Sequence, residues 1–591
     1  MRVRETLFIC MLGLAACTPV GDKKDTGLTY IMDMVHNNPG EPVTETKYNN
    51  PEFVKEVGFN GMCPQWHVQC ALTYDSFDKG IIPEGSNERE WILKKQADIK
   101  QKLQETKKAG MKIYPFTDVM VVPTIVLEKY ANEIMRDEDK GMEADACKGK
   151  LIPDIHKEKT QEIFKAQLNE LFDTFPELDG LNIRFGETYL FDTPYHSGGN
   201  PVRTRDSLGI AGHVKLLNLL REEVCVKRNK KVFYRTWGGF LHTITGNFIK
   251  VTNQVEPHPN LVFSIKYTDG DFHRCKKFNP TIARGNHDYI IEFQGQPEYY
   301  GKGSHPVYLF GSVLNGFSEY SQLMKDDQVQ SLTDLKKDPH FKGLWTWSRG
   351  GGWRGPYISN ELWCDVNTLS AAVWAQDTTQ TEKEVLEKSL PMVGVEKESI
   401  PMFIDLLHKA DRAVLIGQCT EIDLKKSGFN VWWTRDQYFS NENSLSKYMN
   451  YIITNGKQQQ MLDEKEEAVR LWKEIEDLSR KIKMTTQEQK SYLEVSSTYG
   501  RIKHELIAQM FTIFMYGKMG ETGELNKPAI KKAIERYDSL WEEWKELKAN
   551  HPDCATLYES NAFRITADKG VSGNPDNGIG STVNKYRKMV K

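Results

Sequence analysis

The chain has little of what a zinc protein, a nucleic-acid binder or a polytopic membrane protein requires. Its ten cysteines contain no C-x-x-C pair, so a zinc site is not expected. Lys and Arg number 78 against 81 Asp and Glu, a formal net charge of −3. There is no long basic run, so a phosphate backbone is not the expected partner. Past the first residues no apolar run is long enough to cross a bilayer. No glycine-rich phosphate loop follows the first strand-like segment, which disfavours an open doubly wound sheet.

The N-terminus carries the clearest local signal. Arg2 and Arg4 precede an apolar stretch, Leu7 to Leu14, too short to span a membrane as a mature helix. It ends in Leu14-Ala15-Ala16-Cys17, small residues directly before a cysteine, which resembles a bacterial lipobox. The expectation is export, cleavage before Cys17, lipidation of that cysteine and a soluble body tethered at the periplasmic or outer face of the envelope. Residues 1–27 are read as signal and tether. The later cysteines, Cys63, Cys70, Cys147, Cys225, Cys275, Cys364, Cys419 and Cys554, are scattered. Export permits disulfides but the spacing fixes no connectivity, and buried thiols fit equally well.

From residue 28 to about 380, short apolar strands alternate with amphipathic helices. Strands are expected at Thr29–Val35, Val57–Cys63, Met111–Thr117, Gly180–Phe185, Lys231–Arg235, Leu261–Lys266, Tyr289–Phe293 and Lys342–Trp347. Helices are expected over about Glu88–Lys108, ended by Gly110, and Lys157–Phe175. Eight strands separated by crossovers predict an α/β fold, a (β/α)8 TIM barrel. Residues 381–591 read as an α-helical C-terminal domain. Ala468, Leu471, Trp472, Ile475, Leu478 and Ile482 recur at helical spacing, as do Ile530, Ile534, Tyr537, Leu540, Trp541 and Trp544. Those Trp-rich stripes are expected in core or at a subunit interface. The Gly- and Asn-rich final residues, from Val571, are expected to be a loose tail.

In a parallel barrel the chemistry sits at the C-terminal strand ends. Those ends lead to His36, to Asp118, to Arg184 and Glu187, to Arg235 and Trp237, to Lys266 with Asp269, Asp271 and His273, to Glu292 and Glu298, and to Trp345, Trp347 and Arg349. Several carboxylates, cations and indoles on one rim suit glycoside cleavage. That reaction needs one acid to protonate the leaving oxygen and another carboxylate to attack or activate water. Arg and Lys beside them suit an anionic sugar.

Residues 289–309 resemble glycoside hydrolase family 67, the α-glucuronidases, in a segment built around Glu-Phe-Gln, then Gln-Glu-Tyr. Ile265-Lys266 with Asp271-Phe272, and Gly352-Trp353-Arg354-Gly355-Pro356 with Asn360 and Trp363, resemble two further segments of that family. The similarity spans about residues 180–370 and weakens in the helical region. It implies an inverting hydrolase with Glu187 as acid and Asp271 and Glu298 on the base side. It implies Arg235 and Lys266 as ligands of the uronic carboxylate, Glu292 as a rim residue orienting others, and Trp353 near the sugar beyond. It implies no metal or organic cofactor, an oligosaccharide substrate and a dimer through the helical domain. Inversion sets the acid and base about 6.5–9.5 Å apart.

Three departures stand out. The family's N-terminal β domain has no counterpart ahead of Thr29. Where the family has a Lys before its acid, this chain has Ile183 with Arg184 beside it, and a one-residue shift turns a strand side chain to the other face. The segment from Glu187 to Arg235 is longer, and Tyr189 to Gly199 within it is expected to overhang the cleft. The reading is removal of a terminal α-linked glucuronic or related uronic acid. The alternatives are a barrel glycosidase for another sugar, a non-catalytic surface glycan-binding lipoprotein, and a lyase or aldolase using Lys266 as a Schiff base.

Overall fold

The computed structural model describes residues 26–591 apart from 38–43, 136–151, 185–187, 189, 191, 203–205, 239, 271, 296–302, 322, 324–327, 351–359, 423–441, 522, 552–553 and 555–578. Cys17, Cys147, Glu187, Asp271, Glu298 and Trp353 therefore lie outside the described residues.

Eleven strands are present. They are β1 (Tyr30–His36), β2 (Gly61–Met62), β3 (Lys112–Ile113), β4 (Phe116–Asp118), β5 (Val121–Pro123), β6 (Gly180–Arg184), β7 (His196–Gly198), β8 (Lys231–Arg235), β9 (Leu261–Lys266), β10 (Tyr289–Gln294) and β11 (Phe341–Gly350). Nine form one parallel sheet in the order β3-β2-β1-β11-β10-β9-β8-β6-β4. Its two end strands are consecutive halves of one segment, and that segment closes the ring. On one side the Tyr114 N–H donates to the Met62 carbonyl at 2.9 Å and that of Phe116 to Pro64 at 3.0 Å. On the other, the Asn182 N–H donates to the Pro115 carbonyl at 2.9 Å. Pro115 has no N–H to give, so the third barrel strand is split where it stands.

The expected strands at Lys231–Arg235 and Leu261–Lys266 coincide with β8 and β9. The second shrinks to Gly61–Met62, and the third divides at Tyr114-Pro115. The helix α1 (Asn87–Lys108) starts at a Ser86 cap, whose hydroxyl accepts the Arg89 N–H. It ends before Gly110, which takes φ +78°, a conformation glycine adopts cheaply. The helix α2 (Glu158–Thr174) also falls where the periodicity places it.

Alternate strand residues face the barrel interior and fill it in layers. Near the bottom Tyr30 and Tyr114 meet Phe233 edge-on at 5.1 and 4.9 Å. Gly343 makes room for them, because a Cβ there would lie 2.6 Å from that of Tyr30. Higher up, Trp345 Nε1 donates to Ser264 Oγ at 2.7 Å, and Asn182 Nδ2 to Cys63 Sγ at 3.7 Å across the ring.

After α3 (Leu362–Gln376), which covers β11, the chain is helical: α4 (Glu382–Met392), α5 (Ile400–Gln418), α6 (Glu442–Thr454), α7 (Gln458–Lys481), α8 (Gln487–Gly520), α9 (Lys527–Asn550) and α10 (Ile579–Val590). Ala468, Leu471, Trp472 and Ile475 of α7 are buried, as are the six apolar positions of α9. Those stripes are core. Ile482 lies just past the end of α7. The 34-residue α8 is buried on most of its faces and so shows no clean stripe in sequence. One expectation needs correction in part. Of the stretch expected as a loose tail, Ile579–Val590 is a helix with Val583 and Tyr586 buried, Tyr586 edge-on to Phe514 at 5.9 Å; residues 571–578 lie outside the described residues. The cysteines among the described residues are all buried thiols outside any disulfide.

Candidate active site

The interior residues at the tops of β4, β6, β8, β9, β10 and β11 form one buried polar layer. Arg184 and Arg235 are each 3% exposed, Lys266 2%, Asp118 2% and Glu292 0%. Charges this far from water persist only when paired. Arg235 donates twice to Glu292, Nε and Nη2 each at 2.7 Å. Arg184 donates to both oxygens of Asp118, the Nη2 bond at 2.8 Å. Both pairs have the two-pronged geometry that a planar guanidinium allows. Asn182 of β6 points inward, so Arg184 shares its face and Ile183 turns outward.

Aromatic rings separate and steer these charges. Phe116 lies between the two guanidinium groups, 5.0 Å from that of Arg184 and 5.6 Å from that of Arg235. The Lys266 ammonium sits 3.4 Å from the centroid of Trp237 and 4.6 Å from Phe272. Trp347 occupies the middle: 5.3 Å from the Arg235 guanidinium, 6.0 Å from the Lys266 ammonium and stacked on His36 at 4.9 Å. Cation–π attraction of this kind contributes up to about 2 kcal/mol where water is excluded.

Four of the residues picked from the sequence are thus brought together: Arg184, Arg235, Lys266 and Glu292. Two change character. Glu292 is no rim residue. It is fully buried, because its strand position points into the ring and Arg235 holds it there. Arg235 is first a partner of Glu292, through Nε and Nη2. In the chain leaving β6, part of the stretch expected to overhang the cleft is a strand. His196–Gly198 is buried and pairs antiparallel with Val121–Pro123 as β7. Gly198 permits this, because a Cβ would come within 2.1 Å of the Met120 carbonyl.

The positions read as acid and base, Glu187, Asp271 and Glu298, follow β6, β9 and β10 directly in sequence, as does Trp353 after β11. Their separation lies outside the described residues. Sequence reasoning named Asp118, Glu292, Trp237, Phe272 and Trp347, but not that the two carboxylates pair with the arginines or that the rings surround Lys266. The alternation Trp345-Thr346-Trp347 was the available signal: period two puts both indoles on one face.

One solved structure aligns over nearly the whole fold: a glycoside hydrolase family 138 enzyme targeting pectin rhamnogalacturonan II, at 10% identity and TM-score 0.52, over 96% of this chain and 83% of that one. An O-GlcNAc hydrolase of Thermobaculum terrenum aligns over 95% of this chain and 94% of its own, at 9% identity and TM-score 0.38. A family 115 4-O-methyl-α-glucuronidase specific for decorated arabinogalactans aligns over 87% and 58%, at 11% identity and TM-score 0.36. The first shares this fold; the other two alignments are too loose to argue from. No family model and no curated protein matches the chain.

Proposed function

We propose that this protein is a glycoside hydrolase that removes a terminal α-linked glucuronic or related uronic acid from oligosaccharides with inversion. The observation that carries the reading is the buried polar layer at the strand ends. It brings Arg184, Arg235 and Lys266 together with Asp118 and Glu292, all buried at the strand ends. A sugar carboxylate can take charge-assisted bonds from such cations, in a place where bulk water screens little. The barrel fold shared with a pectin-targeting glycosidase supports a glycan substrate.

In this mechanism Glu187 protonates the leaving oxygen, and Asp271 and Glu298 hold and deprotonate the attacking water. Arg235 and Lys266 face the uronate, and Glu292 fixes the Arg235 guanidinium in place. Cys17 is the proposed lipid anchor of the exported chain; the mass of the N-terminal peptide of cell-made protein checks this.

The test is release of uronic acid from a panel of α-glucuronidated oligosaccharides. Wild type should release it with inverted configuration, and Glu187→Gln should not. A second reading, the same barrel acting on a neutral sugar, has one observation in its favour: both arginines already face carboxylates. Arg235→Ala and Lys266→Ala discriminate. Loss on uronosides alone supports the acidic sugar; equal loss on neutral glycosides supports the other reading.

A further inference from the structure

The side chain of Gln294 has no evident structural purpose. It stands two residues beyond Glu292 on β10, on the same inward face, and is 1% exposed. Neither its amide oxygen nor its amide nitrogen has a hydrogen-bond partner among the described residues. Across the rung, Gln294 pairs with Trp347 of β11, whose indole N–H is likewise buried and unpartnered there. Burying a polar group without a partner is destabilising; other buried amides, Gln69 and Gln418 among them, also lack one among the described residues. Here two stand side by side in the active-site layer.

The backbone holds both in place. The Gly295 N–H donates to the Trp347 carbonyl at 3.0 Å, locking the end of β10 to β11. A Cβ on Gly295 would fall 1.8 Å from Thr368 Oγ1, so only glycine lets β10 run this close to α3. Trp347 is clamped by His36 stacked on it at 4.9 Å and by Phe272 edge-on at 5.7 Å. Unpaired polar atoms on rigid supports are the arrangement expected of a recognition site waiting for its ligand.

We infer that Gln294 and Trp347 are specificity-determining residues that read the hydroxyl groups of the pyranose in the barrel mouth. An amide offers one acceptor and one donor side by side. That pattern matches a vicinal diol, one hydroxyl donating to Oε1 while its neighbour accepts from Nε2. The indole N–H, a donor only, takes a third ring oxygen. The charged residues nearby read the carboxylate, and these neutral ones read the hydroxyl pattern. This deepens the proposed function and rests on a sugar occupying that mouth, though not on the sugar being acidic.

The test pairs stability with binding on the full chain. Gln294→Leu removes the unpartnered amide at similar volume. It should raise Tm by about 1–2 °C and weaken pyranose binding about tenfold. The calorimetric probes are glucuronate, galacturonate, glucose and galactose, each with analogues lacking one hydroxyl. Removing the hydroxyl that Gln294 reads should cost wild type about tenfold and cost Gln294→Leu almost nothing. A fall in Tm with unchanged binding would mean a structural amide and overturn the inference, as would binding of none of these sugars. Gln294-dependent binding of neutral sugars alone would uphold it while removing the uronic reading. Uronate binding indifferent to Gln294→Leu would do the reverse.

Discussion

The two faces of the barrel wall treat buried carboxylates in opposite ways. On the inner face Glu292 and Asp118 are clamped by arginines. On the outer face Asp33, equally buried, has hydroxyl and backbone donors. Thr346 donates to it at 2.5 Å, Ser348 Oγ at 2.6 Å and the Ser348 N–H at 3.2 Å. Desolvation outweighs these bonds and pushes its pKa up to about 7. Asp365, opposite Tyr48 and Lys47 on the same side, is pushed by burial to about 6. Thr346 and Ser348 alternate with Trp345 and Trp347, so one strand serves both faces. Even the Lys47 ammonium, 2.6 Å from Asp365, does not offset the burial of that carboxyl.

The largest break in this contrast should come from Arg235→Ala. It leaves Glu292 buried without its cation and should cost about 3–5 kcal/mol in denaturant unfolding. Adding Glu292→Gln should recover part of that. If the single variant is as stable as wild type, the inner pair is not what holds the layer.

Asp33→Asn probes the outer face, with an effect on the order of a few kcal/mol. The folded Asp33 keeps its proton from about pH 4 to about 7, while the unfolded chain releases it near 3.9. The wild type therefore loses stability as pH rises through that window. The variant should lose less, so its Tm relative to wild type should climb from pH 5 to pH 8. A relative Tm that falls with pH would contradict a neutral Asp33.

The smallest effect sharpens the comparison from below the charged layer. Trp345→Phe removes the donor to Ser264 Oγ and should cost about 1 kcal/mol, with no dependence on pH between 5 and 8. A pH-dependent cost would mean that Trp345 is coupled to the charges above it.

Much of this frame is legible in the sequence, for physical reasons. Val232–Tyr234 of β8 and Leu261–Phe263 of β9 are buried apolar runs, and the ends of both strands read correctly. β2 is too short to show a period, and Pro115 hides the continuity of β3 with β4. The strand-end rule located Arg184, Arg235, Lys266 and Glu292. It could not show that Arg235 and Glu292 are partners, because 57 residues separate them and only ring curvature brings them together. An unpartnered Gln294 is invisible in sequence, since lack of a partner is a property of space.

The pairing of β1 with β11 carries a consequence for biosynthesis. Tyr30 meets Gly343, so the first strand waits for the last before the ring can seal. Until Phe341–Gly350 emerges, β1 and β10 each present an open parallel edge, the kind of template that recruits foreign strands. A chain ended before Phe341 should therefore aggregate, whereas one ended within α8 keeps the ring intact. Closure over such sequence distance is slow, which makes the interval before closure the chain's most vulnerable moment.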